Sequence, residues 1–178
     1  MIRIALALLA AVLLSGCFVH DRRSFGNVVD DQNLELSIIE AINKDKELAL
    51  KNHVEVLVYN GVVLLIGETS TEELRARAED KARGYQGVRR VVNEIVVGPR
   101  ISFSTTSSDK VVSSRVKTGL LDIVDIKGFD PSRVNVTTEN GVVYLMGLVT
   151  QQESERAVEI ARTTPGVDRV VKVFEYTD

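Results

Sequence analysis

Val54-Glu55-Val56-Leu57-Val58-Tyr59-Asn60-Gly61-Val62-Val63-Leu64-Leu65-Ile66-Gly67 is answered further along by Val134-Asn135-Val136-Thr137-Thr138-Glu139-Asn140-Gly141-Val142-Val143-Tyr144-Leu145-Met146-Gly147. In each copy two β-branched or aliphatic runs meet at Asn-Gly, the pair that best tolerates the positive φ of a type I′ turn, so each copy predicts a tight hairpin. A glycine follows at the same distance in both, Gly67 and Gly147. Further on, Gly87-Val88-Arg89-Arg90-Val91-Val92 corresponds to Gly166-Val167-Asp168-Arg169-Val170-Val171. The simplest account is two homologous units of roughly seventy residues each.

The flanking segments complete each unit. After the hairpins, Ser70-Thr71-Glu72-Glu73 and Thr150-Gln151-Gln152-Glu153 both read as capping boxes that open a helix. Glu72 and Glu73 are then first-turn residues favoured by the helix dipole, with no acid–base role. Leu74, Ala78 and Ala82 in one copy, and Ala157, Ile160 and Ala161 in the other, form narrow apolar stripes whose small residues allow close packing. A third strand follows, Arg89 to Val97 and Arg169 to Tyr176. Ahead of the hairpins lie two more helices, with stripes at Leu34, Ile38, Ala41 and Ile42, and at Val112, Val116, Leu120 and Ile123. The order helix, strand, strand, helix, strand predicts an α+β fold. Each αββαβ unit packs two helices on one face of a three-stranded mixed sheet, and pairing the units would bury what each leaves exposed. The stretch from Gly98 to Ser108, with Pro99 and a serine-rich run, reads as a linker.

The N-terminus carries a different signal. Arg3 precedes an apolar run from Ile4 to Leu14, which ends in Leu14-Ser15-Gly16-Cys17. This is signal-peptide length, too short to cross a bilayer as a helix. Cys17 is the only cysteine of the chain, so it has no intramolecular disulfide partner. The pattern resembles the lipobox of bacterial lipoproteins, which implies cleavage before Cys17 and acylation of its thiol. The expected organisation is a signal at 1–16, a lipidated tether at 17–30, a first domain at 31–98, a linker at 99–108 and a second domain at 109–178.

Composition narrows the function classes. Of 178 residues, 26% are charged and 44% hydrophobic, and the net charge of −3 is dispersed, so no basic field exists to hold a nucleic acid. Only two histidines occur, His20 in the tether and His53, which leaves no His cluster for zinc or for activating a serine. No glycine-rich loop precedes a helix. The expectation is a protein without cofactor, metal or catalytic residues. Asp30-Asp31 and Asp109 read as helix entries, and Asp130-Pro131 as a turn.

A lipobox followed by two helix–hairpin–helix–strand units, with Asn-Gly in the turns and Gly-Val before the last strands, resembles the dual BON-domain lipoproteins of bacteria. The likeness is most specific from Val136 to Gly141 and from Leu145 to Thr150. The resemblance implies an outer-membrane lipoprotein facing the periplasm, and Phe18 rather than Asp after the cysteine agrees with outer-membrane sorting. It further implies a role in envelope integrity at the division site, and binding of anionic phospholipid through the second domain.

The helical wheel offers its own clue. Opposite its apolar stripe, the first helix carries Leu36, Glu40, Asn43 and Glu47, an acidic face that an anionic membrane repels. The corresponding helix of the second unit turns Lys110, Ser114, Lys117, Leu121 and Val124 outward, flanked by Val111 and Arg115, which is the pattern of an interfacial helix. Lys110, Val111, Ser114, Lys117, Leu121 and Val124 are the candidate phospholipid-binding residues, and Cys17 the lipid attachment. The family's best-known member has an aromatic wedge where this chain has Val111, which implies shallower insertion. The alternative is a protein-interaction adaptor that uses the same face, or a sheet edge, to dock an outer-membrane assembly or division-site protein.

Overall fold

A computed structural model describes residues 24–98 and 104–178. The first domain runs α1 (Phe25–Lys44), α2 (Lys46–Lys51), β1 (His53–Tyr59), β2 (Val62–Thr69), α3 (Glu72–Arg83), β3 (Arg90–Asn93) and β4 (Val96–Val97). The second runs α4 (Ser104–Leu120), a single 3₁₀ turn at Pro131–Arg133, β5 (Val134–Glu139), β6 (Val142–Val149), α5 (Gln151–Thr163) and β7 (Arg169–Tyr176). In both, the second hairpin strand is central. It pairs antiparallel with the first strand, and parallel with the strand that returns after the crossover helix. The mixed α+β architecture is therefore the one that the repeat predicts.

The turn chemistry explains the repeated motif. Asn60 and Gly61 have φ of 50° and 72°, and Asn140 and Gly141 have 49° and 75°, so both central residues are left-handed as a type I′ turn requires. The second glycine of each copy is there for space. A Cβ on Gly67 would lie 2.1 Å from the His53 carbonyl oxygen, and one on Gly147 would lie 2.4 Å from that of Arg133.

The central strands bury both faces. Towards its helices β2 turns Val63 and Leu65, which pack with Ile38, Ile42, Ala78 and Ala82. Val143 and Leu145 of β6 pack likewise with Val112, Val116, Leu120, Ala157 and Ala161. The opposite faces meet each other: Tyr59, Val62, Leu64 and Ile66 of one domain close on Tyr144, Met146 and Val173 of the other. The molecule is thus four layers, helices outside and two sheets back to back, in which each domain covers the other's apolar sheet.

Several details differ from the sequence reading. Helix α1 begins at Phe25, where Ser24 accepts the Asn27 amide, so residues 25–30 of the expected tether are helical. Helix α4 likewise takes up 104–108 of the expected linker and stops at Leu120, leaving Leu121 and Val124 in the turns that follow. The first α3 cap is Thr71, whose hydroxyl accepts the Leu74 amide, and Glu72 pairs with Arg75 and Glu73 with Arg77. Only Thr150 and Glu153 make the reciprocal capping box. The third strand of the first domain breaks at Glu94-Ile95, because Ile95 turns into the core. Among the described residues no helix is long and apolar enough to cross a membrane. The signal at 1–16 and Cys17 lie outside the described residues.

Candidate functional site: the interdomain cleft and the α4 rim

The strands β1 and β5 are edge strands of their sheets, and they pass each other in opposite directions at the domain boundary. Tyr59 Oη at the end of β1 donates to the Arg133 carbonyl just before β5, at 3.3 Å. At the other end His53 Nε2 lies 3.6 Å from Glu139 Oε1. With α1 on one side and α4 on the other, these edges floor a cleft. One end, about 630 Å³, is bounded by Gln32, Glu35 and Tyr59 against Ser114, Lys117 and Leu121. The other, about 510 Å³, is bounded by His53, Glu55 and Glu139 against Lys110, Ser113 and Lys117.

Two aspartates set the rotation of the helices that wall the cleft. Asp31, buried in the second turn of α1, accepts the Asn60 and Gly61 amides at 2.6 and 2.8 Å. Asp109 of α4 accepts those of Asn140 and Gly141 at 2.9 and 3.0 Å. Neither aspartate opens its helix as the sequence suggested. Each instead satisfies the two outward amides of a hairpin turn by charge-assisted hydrogen bonds, and so pins helix to hairpin. With Asp109 held inward, Lys110, Ser114, Lys117 and Leu121 fall along the cleft rim and are exposed. Leu121 is 65% exposed and Val124, beyond the helix end, 88%; Val111 is 48% exposed on the flank of α4.

The charge facing that rim was not visible from one helix at a time. Glu35 reaches across α1 to accept the Val58 amide at 2.9 Å; burial, aided by the Asp31 charge, pushes its carboxyl up. Burial also raises Glu55, with the Glu35 charge adding to it and His53 opposing. Glu139 is pushed up to about 7, first by burial and then by the charges of Glu68, Glu55 and Asp109. A lysine rim therefore looks across the cleft at a half-buried acidic floor, which narrows the positive surface α4 presents.

His53, Glu55 and Glu139 are the residues that sequence reasoning missed. A histidine with no second histidine nearby in sequence gives no metal signal, whereas the fold brings His53 two carboxylates, one of them from the other domain. Their ligand atoms all lie within 4.8 Å of one another.

Comparison with known proteins agrees with this architecture. The BON domain family matches residues 30–99 and again 108–178. The chain is 35% identical to the outer membrane lipoprotein DolP of Haemophilus influenzae, over 99% of this chain and 96% of that protein. It is 36% identical to a 21 kDa hemolysin of Actinobacillus pleuropneumoniae, over 88% and 79% of the two chains. Similarity to the osmotically-inducible protein Y of Escherichia coli is 32% over 82% and 72%. Duplicated hairpins, crossover helices and near full-length kinship together assign the chain to the BON-domain family, as a member with two copies of the domain in tandem.

Proposed function

We propose that this protein is an outer-membrane lipoprotein, anchored through an acyl chain on Cys17 and facing the periplasm, which binds anionic phospholipid along the α4 rim and supports envelope integrity at the division site. The observation that carries the binding site is the exposure of Leu121 and Val124 beside Lys117, where apolar and cationic side chains project together just past the end of α4. Kinship to an outer membrane lipoprotein supports the location.

Magnitudes fit a surface reader better than an anchor. Each lysine near an anionic surface contributes on the order of 1 kcal/mol, and partial burial of Leu121 and Val124 adds about 1–2 kcal/mol. The acidic floor offsets part of the lysine contribution. An acylated Cys17 supplies retention, and the high local concentration of a tethered site turns weak contact into selection of lipid and orientation. Co-sedimentation of the chain from residue 18 onward with vesicles containing phosphatidylglycerol tests this. Lys117→Glu with Leu121→Asp abolishes binding without loss of cooperative unfolding, and wild-type binding weakens with salt. Unchanged vesicle binding by the double variant overturns the site. Binding indifferent to headgroup and salt favours the adaptor.

A further inference from the structure

We propose that His53, Glu55 and Glu139 form a divalent-cation site, suited to zinc, that clips the two domains together at one end of the cleft. His53 and Glu55 stand two positions apart on β1 and so project from one face of the strand, while Glu139 ends β5 of the other domain. One ligand atom from each side chain lies within 4.8 Å of the other two. A tetrahedron with bonds of about 2.1 Å has edges of roughly 3.4 Å, a modest contraction for two flexible Glu side chains. An imidazole with two carboxylates suits zinc, since magnesium and calcium prefer all-oxygen shells. A fourth position stays open to the cleft.

The two hairpin tips hold their facing carboxylates differently. At the tip of the first hairpin, Asn60 donates to Glu175, and Arg89 pairs with the same carboxylate at 2.9 Å. Beside the second hairpin, Arg169, in register with Val142, faces Glu94 at 3.6 Å. At the tip of the second hairpin, Asn140 donates in the same way to Glu68, which is only 3% exposed, but the residue matching Arg89 in the repeat is Asp168. Glu68, Glu55, Glu139 and Asp109 converge there. Asp109 is spent on the hairpin amides, while the Glu55 side chain makes no hydrogen bond or ion pair among the described residues, and that of Glu139 meets only His53. Lys110 and Lys117 line this end of the cleft without pairing with either. The fold thus brings two domains together over an imidazole and two carboxylates with which no lysine or arginine among the described residues forms an ion pair, the arrangement a bridging metal ion satisfies.

The experiment needs no lipid, so its outcome is independent of the membrane reading. The chain from residue 18 onward, without a polyhistidine tag, is stripped with chelator and titrated calorimetrically with zinc chloride. One ion binds per chain, and saturating zinc raises the melting temperature by about 5–10 °C. His53→Ala and Glu139→Gln each weaken binding at least about tenfold, and magnesium does not substitute. The near-isosteric Glu139→Gln chain keeps the comparison valid if His53→Ala folds poorly. Failure to bind zinc at about 100 μM, or binding unaltered by Glu139→Gln, overturns the proposal.

Discussion

With chelator present, replacing Glu139 by Gln makes this protein more stable at pH 8 and leaves it unchanged at pH 4.5. The Glu139 carboxyl, 16% exposed, is pushed from an ordinary 4.5 up to about 7 by burial and by the charges of Glu68, Glu55 and Asp109. Between those two values the folded chain holds a proton that the unfolded chain has released, so stability falls as pH rises through this window and levels off above 7. At about 1.36 kcal/mol per pH unit, the full displacement corresponds to roughly 3 kcal/mol as a ceiling. Residual solvent contact and rearrangement of Lys110 and Lys117 reduce this to about 1–2 kcal/mol, which Gln recovers by removing the charge at nearly constant shape. Urea unfolding followed by circular dichroism at pH 4.5 and pH 8 measures the difference. Equal gains at both pH values, or a loss at pH 8, would refute the electrostatic reasoning.

Two further outcomes test how the second domain is held. Arg133 and Glu153 form an ion pair at 3.4 Å with side chains 5% and 3% exposed, so Arg133→Ala costs about 3–5 kcal/mol in urea unfolding, and a Leu pair at both positions restores most of it. Asp109→Ala strips charged acceptors from the Asn140 and Gly141 amides and costs about 1.5–3 kcal/mol, with hydrogen exchange at those two amides accelerating first.

The repeat was legible because its determinants are local. Asn-Gly at 60–61 and 140–141 specifies the turn, strand alternation specifies the faces, and the stripes of α1 and α4 fall on the buried side at Ile38, Ile42, Val112, Val116 and Leu120. What could not be read is set across distance. Asp31 and Asp109 look like helix caps in one dimension because an Asp near a helix start usually is one; their true partners lie on hairpins some thirty residues on. The α4 rim was found from helical periodicity, yet its electrostatic setting was not, because Glu35, Glu55 and Glu139 reach it only once the sheets stack. The same stacking hid His53, whose partners are on two different strands. Leu121 and Val124 were placed on the outer face by extending an ideal helix past the turn that in fact ends it at Leu120.

Because β2 and β6 spend both faces on packing, alternate positions along either strand fall in one core or the other, and almost none is free of packing. Substitutions that leave both cores intact are thereby confined to the outer helices and the cleft lip. The outward face of a helix such as α4 can therefore carry a charge pattern of its own without disturbing the sandwich beneath it. A single copy cut loose from its twin would present a naked greasy sheet to solvent.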